Sequence, residues 1–343
     1  MKAARLYPGA SVLTIDEVEK PKLQNGHAII KIRAAGVCAT ETHFVEGLIP
    51  VGSPLVLGHE IAGDIDQIDP VYKTDLKVGN RVAVYNMMTC GSCFNCRNDM
   101  ENMCTQSAGQ LGFSADGGFE EYVQVPIRSL VTLPPNVTYE EGAVHACSGM
   151  TAVHSTRLAG TKIGDVVGVH GVGGVGLMCI QVAKISGAKV IAIADTPEKA
   201  VLAKEIGAEE AIVCTGYSAL AEQIKSVTHG AGLDVVYDLV GSTEGWNAAI
   251  DSLACRGRLI IIGYRKEDKL NFYPVGMLLK EGQILTCVAG CKRDLELSLR
   301  YANEGRITTV VSNRIPLEKV NEAIQMIIER KVKGRSVIVF DPR

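Results

Sequence analysis

The stretch Val166-Val167-Gly168-Val169-His170-Gly171-Val172-Gly173-Gly174-Val175-Gly176 decides the fold. A short apolar run meets glycines at 171, 173 and 176, and an apolar segment of helical length, 177–185, follows. A strand that enters a helix through G-x-G-x-x-G has a physical purpose. The first glycine turns the chain, the second lets the backbone approach a pyrophosphate, and the third lets helix and strand pack closely. The helix amino terminus then offers unpaired N–H groups to the phosphates. Gly171, Val172, Gly173, Gly174, Val175 and Gly176 are therefore the candidate dinucleotide loop. Asp195 ends the next predicted strand, 19 residues past Gly176. A carboxylate there accepts hydrogen bonds from a ribose and repels a 2′-phosphate. Thr196 and Pro197 follow it with no arginine beside them, so NAD is favoured over NADP. Asp195 also reads as a cap for a helix opening at Pro197, which is compatible with the first role.

Outward from this loop, apolar runs at 166–170, 189–194, 211–213, 234–238, 258–262 and 284–288 alternate with segments of helical length. Six buried-looking strands separated by helices predict a doubly wound, parallel, six-stranded sheet of the Rossmann type. Residues 139–158 predict a helix ahead of it. Residues 1 to about 140 have another texture. Short runs at 28–33, 81–85 and 122–125 sit among Gly, Pro and Asn, which suits a barrel-like antiparallel fold. After Gly290 the chain predicts two helices and a closing strand at 335–340, too little to fold alone. The expected organisation is α/β and two-domain: a catalytic domain at 1–148, a nucleotide domain at 149–290, and a segment at 291–343 returning to the first.

The 343 residues make two domains the default. Lys and Arg are scattered without a basic block, which argues against nucleic acid. No apolar run reaches the roughly 18 residues of a membrane span. The start, Met1 to Leu6, reads as a strand and lacks the apolar core of a signal peptide. Eleven cysteines without a secretory signal point to a reducing, cytoplasmic compartment, where metal or catalytic roles come before disulfides.

Two groups of cysteines carry metal chemistry. Cys90, Cys93, Cys96 and Cys104 give C-x2-C-x2-C-x7-C, in a lobe expected over about 88–106. Four thiolates surround one tetrahedral zinc and leave no open position, so that ion is structural. An iron–sulfur cluster also takes four cysteines, but zinc is preferred beside a dinucleotide site. The second group is dispersed. Cys38, Thr40, Glu41 and His43 follow a predicted strand, His59 comes 21 residues after Cys38, and Cys147 is far downstream. A catalytic zinc takes three protein ligands and keeps one position open, and Cys2His is one such set. Cys38, His59 and Cys147 are predicted to be that set.

Taken together these residues resemble the zinc-dependent alcohol dehydrogenases of the medium-chain dehydrogenase/reductase family, over nearly the whole chain. The segment Gly36 to His43 is similar to the family's Gly-x-Cys-x-Thr-x-x-His, and Gly58-His59-Glu60 to its Gly-His-Glu. The four lobe cysteines match its structural zinc loop. Ala146-Cys147-Ser148-Gly149-Met150-Thr151 is similar to the segment with its third catalytic ligand, and Gly334-Arg335 to its Gly-Arg. The resemblance implies a GroES-like catalytic domain, two zinc ions per chain, and NAD. It implies that Glu60 stands behind the catalytic zinc as an alternate ligand. It implies that Thr151, Val240 and Arg335 join Asp195 and the glycine loop at the cofactor, with Arg335 at the pyrophosphate. The implied reaction is reversible hydride transfer between an alcohol and NAD, giving an aldehyde or ketone. The alcohol is ionised at the zinc and its proton leaves through Thr40 and His43. Cys147 as third ligand fits the alcohol branch, since the polyol branch has a glutamate there. Two positions depart from the family. It commonly has Asp where Glu41 stands, bonded to the ligand histidine, and some members have a basic residue where Ala39 stands.

The candidate pocket residues Leu48, Leu57, Phe94, Leu111 and Tyr264 are mostly apolar, which favours a neutral, apolar primary or secondary alcohol. His145 could compete as a ligand, His170 could contact the cofactor backbone, and Trp246 reads as packing. Cys179, Cys214, Cys255, Cys287 and Cys291 read as small hydrophobes. The last strand of the nucleotide sheet would be an edge that needs cover. In the family that edge pairs with a second subunit, so a homodimer or homotetramer is expected. Two other readings compete. A zinc-free quinone or enoyl reductase would lack the lobe and the Cys38/His59 pair. A non-catalytic zinc- and nucleotide-binding sensor or structural protein would need neither an open metal position nor a proton relay.

Overall fold

The computed structural model describes residues 1–265 and 267–340. They form two compact units. The first comprises Met1–Met150, Cys291–Gly305 and the chain from Thr309 onward; the second comprises Thr151–Gly290 and Arg306–Thr308.

The second unit holds one six-stranded sheet. In spatial order its strands are Glu210–Val213, Lys189–Ala194, Val166–His170, Leu233–Asp238, Leu253–Ile261 and Gln283–Thr286. Every neighbouring pair is parallel. Counted along the chain this is the order 3-2-1-4-5-6 of a Rossmann sheet. Val and Ile dominate the central strands because branched side chains suit a sheet covered on both faces. Val167, Val169, Val190, Ile191, Val235 and Val236 are fully buried. The order reverses between Val166–His170 and Leu233–Asp238, whose carboxyl ends lie side by side with Asp238 opposite His170. Ligands bind at such a switch point. All six predicted strands are present; the first two match residue for residue and the other four have shifted ends. The fifth begins at Leu253 and passes Arg256 at φ 59°, so apolar content alone missed its start. The helix expected at 177–185 begins at Gly174, which makes the last three loop residues its first turn.

The first unit is β-rich and mostly antiparallel, as its punctuation predicts. Its spine is the eleven-residue strand His27–Val37. One edge of the spine pairs with Glu60–Ile68. The other edge pairs with Tyr122–Pro126 along residues 27–31 and with Arg335–Val339 along residues 34–37. The returning tail therefore completes this sheet. It also adds Val311–Ile315, parallel to Arg335–Val339, a strand the sequence pattern missed because only its two end residues are apolar. Ala28, Ile30, Ile32, Ile61, Ile65, Val82, Val84, Val125 and Ile338 form the core beneath.

Register decides what meets at the strand ends. Gly36 faces Glu60, and Val37 faces Ser336. One step further, Cys38, His59 and Arg335 converge. The helix predicted at 139–158 is three segments: Tyr139–Val144, a π-helical turn His145–Gly149, and Met150–Ala159. Thr138 and Glu141 form a capping box that starts it. The wider π turn carries Cys147, and such turns are frequent at functional sites.

Candidate active site with two metal centres

Cys38, His59, Glu60 and Cys147 bring one ligand atom each to within 4.8 Å of one another. Three separate stretches supply them: the end of the spine strand, the start of its partner, and the π turn. The His59 ring is oriented from behind. Its Nδ1 lies 2.8 Å from Glu41 Oε1, while its Nε2 lies 3.3 Å from Cys147 Sγ. Glu41 is buried, and its other oxygen accepts from the Cys38 backbone N–H at 2.7 Å. The longer glutamate therefore reaches His59 and ties down the turn bearing Cys38 as well. A hydrogen bond from the Cys147 thiol holds Cys38 well below its ordinary pKa, and the same bond pushes Cys147 well above its own. Thiolate sulfur and an imidazole nitrogen with its second nitrogen engaged are a zinc-type donor set. Zinc bonded at ordinary lengths would set sulfur and nitrogen about 3.6 Å apart. The arrangement fits a zinc ion.

Glu60 and Arg335 lie behind this cluster as a buried ion pair at 2.7 Å, and the Arg335 guanidinium also donates to Ser148 Oγ. Burial pushes the Glu60 carboxyl up to about 8, against the pull of Arg335. A side chain added at Gly36 would strike the Glu60 carboxylate, which is why only glycine suits that position. Thr40 and His43 lie on one short helix, Thr40–Val45, three residues apart and hence on one face. Thr40 Oγ1 is 3.6 Å from Cys38 Sγ. His43 is half-buried, and burial lowers its pKa.

The lobe cysteines also converge. Sulfur separations are 3.9 Å for Cys90–Cys96, 3.9 Å for Cys93–Cys104 and 3.6 Å for Cys90–Cys104. A tetrahedron of four thiolates at roughly 2.3 Å has edges of about 3.8 Å, so the four fit one zinc. Backbone N–H groups of Ser92 and Cys93 point at Cys90 Sγ and help lower that thiol to about 7. The lobe is stapled to the helix Lys292–Asn303. Cys291 Sγ donates to Asp99 O at 2.9 Å, the Lys292 N–H donates to Glu101, and Arg293 pairs with Asp99. Cys291 is thus an anchor as well as a small hydrophobe.

In the second unit the glycine loop behaves as its spacing requires. Gly171 sits at φ 103°, a conformation other residues rarely adopt. A Cβ on Gly176 would lie 1.9 Å from the Gly171 carbonyl oxygen, so helix and strand can touch only there with glycine. A Cβ on Gly173 would meet nothing within 4 Å, and that open space fits a phosphate approaching the backbone. Val240 packs beside the loop, 3.1 Å from where a Gly171 side chain would begin. Asp195 follows the second strand, and Lys199, four residues on, reaches it at 3.0 Å. The sequence shows no arginine beside Asp195; the fold supplies an ammonium instead. Thr151 is buried at the second residue of the helix Met150–Ala159.

Known proteins give the same picture. A family model described as an alcohol dehydrogenase GroES-like domain matches residues 24–135, and one described as a zinc-binding dehydrogenase matches residues 174–304. An alcohol dehydrogenase of Geobacillus stearothermophilus is 33% identical over 99% of this chain and 100% of its own. An NAD-dependent alcohol dehydrogenase of Saccharolobus solfataricus is also 33% identical, with coverage of 99% and 100%. The chain belongs to the zinc-dependent alcohol dehydrogenases of the medium-chain family. The crystal structure of the alcohol dehydrogenase of Aeropyrum pernix superposes with a TM-score of 0.92 at 29% identity, covering 99% of this chain and all of that one. The first unit is accordingly GroES-like and the second Rossmann-like, in an oxidoreductase of the alcohol dehydrogenase class.

Several sequence candidates are engaged within the protein. His145 is fully buried with Nδ1 on Ser298 and Nε2 on Thr309, and burial lowers its pKa to about 4, so both nitrogens are engaged away from the cysteines. His170 pairs with Asp238 at 2.5 Å and meets the Tyr217 hydroxyl at 3.2 Å. Trp246 packs, as expected, and also donates to Asp238 at 3.0 Å. Phe94 is 69% exposed on the lobe and Tyr264 is 46% exposed, so neither forms an enclosed pocket wall by itself. Sequence reasoning missed the Glu60–Arg335 pair and the role of Ser148. No local signal announces a contact made across hundreds of residues.

Proposed function

We propose that this chain oxidises neutral alcohols to aldehydes or ketones, reversibly, with NAD and two zinc ions. The observation that carries this is the buried convergence of Cys38, His59, Glu60 and Cys147 in a chain of this family. Cys38, His59 and Cys147 would hold the catalytic zinc, with Glu60 as alternate ligand; Cys90, Cys93, Cys96 and Cys104 would hold the structural one. When bound, the zinc supplies Lewis acidity that lowers the pKa of an alcohol hydroxyl, and NAD accepts the hydride.

The chain's residues do the rest. Glu41 keeps the Nδ1 proton of His59 on the far side, so Nε2 presents its lone pair to the metal. Arg335 sets a positive charge beside the Cys38 sulfur and the Glu60 carboxyl in the buried site. Thr40 takes the hydroxyl proton of the substrate, and His43 passes it to solvent. The lowered pKa of His43 keeps its ring neutral and able to accept that proton. The loop Gly171 to Gly176 cradles the pyrophosphate, Asp195 binds the adenosine ribose and favours NAD over NADP, and Val240 and Thr151 line the cofactor. Arg335 would serve the pyrophosphate, as the family likeness implies, only with its Glu60 contact released. The edge strand Gln283–Thr286, with exposed Tyr273, Leu278 and Leu279 nearby in sequence, supports a homodimer or a homotetramer built from it. Eleven free cysteines support a reducing, cytoplasmic setting. Among the described residues no helix is long and apolar enough to cross a membrane.

The test is NADH formation from a panel of alcohols, with and without a zinc chelator, alongside zinc content. Chelator-sensitive turnover is expected, and Thr40→Ala should lower it more than His43→Ala. A folded protein with about two zincs per chain and no turnover on any alcohol would favour the sensor or structural alternative.

A further inference from the structure

Among the described residues, buried side-chain atoms without a hydrogen bond occur on Glu60, Arg335, Asn86 and Gln124. Glu60 and Arg335 answer each other as an ion pair. Asn86 has no such answer. The residue is 2% exposed, and its amide oxygen meets no donor. A buried amide oxygen with no donor from the protein is open to a partner that arrives from elsewhere.

Its position says which partner. The strand Arg81–Val84 runs antiparallel to Glu60–Ile68 with Val84 facing Ile61. The pairing ends there, and the same register carried two residues further would set Asn86 across from His59. Further contacts hold it there. The Asn86 carbonyl accepts from the Leu111 N–H at 2.9 Å. The chain at 111–113 lies on the Gly58-His59 turn: a Cβ on Gly112 would fall 2.7 Å from Gly58 O, and the Phe113 and His59 rings are 5.3 Å apart. Asn86 thus belongs to the neighbourhood of the proposed metal ligands.

We propose that Asn86 is a specificity residue whose amide binds a second polar group of the substrate, a hydroxyl or carbonyl close to the reacting carbon. The inference rests on the dehydrogenase reading above but departs from the apolar alcohol expected from the sequence: its substrate is a neutral hydroxylated alcohol such as a vicinal diol, bound with Cys147 rather than a glutamate as third ligand, and its product an α-hydroxy carbonyl compound. In the oxidation one C–H hydride passes to NAD and one hydroxyl proton passes to solvent as the C=O forms. The second hydroxyl is unchanged and serves only as the handle. A pocket built to hydrogen-bond a hydroxyl rejects the analogue that lacks it, because the amide then stays unpaired.

The test compares 1,2-propanediol with 1-propanol and 2-propanol, for the zinc-loaded wild type and for Asn86→Leu, which is close in shape. The wild type should prefer the diol in kcat/KM by about tenfold or more. Asn86→Leu should bring the ratio to about one, mainly through the diol, and should not lower the melting temperature of the zinc-free protein, because it removes an unpaired polar group. Asn86→Ser should keep part of the preference. An active wild type that favours the simple alcohols overturns the inference and leaves the dehydrogenase standing. So does an unchanged ratio in Asn86→Leu. A variant that melts lower and loses all three substrates equally would show that the amide is satisfied within the protein, and would likewise overturn the inference. Turnover of none of the three by the wild type would bring down the dehydrogenase reading and this inference together.

Discussion

Replacing Glu41 by Gln removes one charge and one acceptor while nearly preserving shape. The carboxylate now accepts from His59 Nδ1 at 2.8 Å and from the Cys38 N–H at 2.7 Å, in a position closed to water. A glutamine has one carbonyl oxygen for these two donors. If it serves Cys38, its NH2 faces His59 and forces the tautomer whose Nε2 carries the proton and cannot bind a metal. If it serves His59, the Cys38 N–H is left unpaired, which costs about 1–3 kcal/mol. Losing the partner of a ligand histidine weakens metal binding by about 10–100-fold. At about 1.4 kcal/mol per factor of ten this is about 1.4–2.7 kcal/mol, a range that overlaps the hydrogen-bond figure. The assay is zinc competition against a chromogenic chelator of known affinity, with thermal melting of the zinc-free protein beside it. Glu41→Gln should release the catalytic zinc at about tenfold lower chelator or less. Glu41→Asp keeps the charge but is one methylene short of spanning both donors, so it should fall between. A glutamine variant that keeps its zinc affinity within about twofold and melts like the wild type would refute the claim that Glu41 organises this site.

The glycine loop, the lobe and a buried acid each offer a separate test. Gly173→Ala should fold and melt as the wild type, since its Cβ meets open space, yet bind NADH more weakly in a fluorescence titration; unchanged affinity would exclude close approach of a phosphate there. Gly176→Ala should lower both stability, by about 1–3 kcal/mol for overpacking, and NADH affinity, because its Cβ cannot coexist with the Gly171 carbonyl oxygen. Cys96→Ser should halve the zinc content and loosen the contacts of the lobe with Lys292–Asn303, seen as faster proteolysis near residue 100; retention of both zincs would count against a four-cysteine site. Burial pushes the Glu120 carboxyl well above its ordinary value, with Asp116 adding to the rise and Arg5 opposing it. Its protonated form is then favoured in the folded state, so its contribution to stability is full below about pH 4.5 and declines as pH rises toward the folded value. Glu120→Gln should therefore melt like the wild type near pH 4.5 and higher than it near pH 7.5, and a gap that does not widen with pH would refute this.

Much of the fold was legible because its signals are local. The glycine loop states its own conformation: φ 103° at Gly171 and the contact at Gly176 admit nothing larger. Branched apolar runs between helical segments determined the parallel sheet, since strands covered on both faces must be apolar throughout. The spacing of Cys90, Cys93, Cys96 and Cys104 was enough to propose one ion, because four thiols within one short lobe can close on it without help from the rest of the chain. Cys38, His59 and Cys147 could be named as one ligand set from their residue types, but that such dispersed residues meet, and how far Glu41 reaches, could not be judged until the register of the spine strand was known. The partner of Arg335, the engagement of His145 by Ser298 and Thr309, and the orphan amide of Asn86 were decided by tertiary structure alone. Each depends on which distant strand or helix lies alongside, and hydrophobic patterning specifies that a segment is buried without specifying which polar atom will face it there.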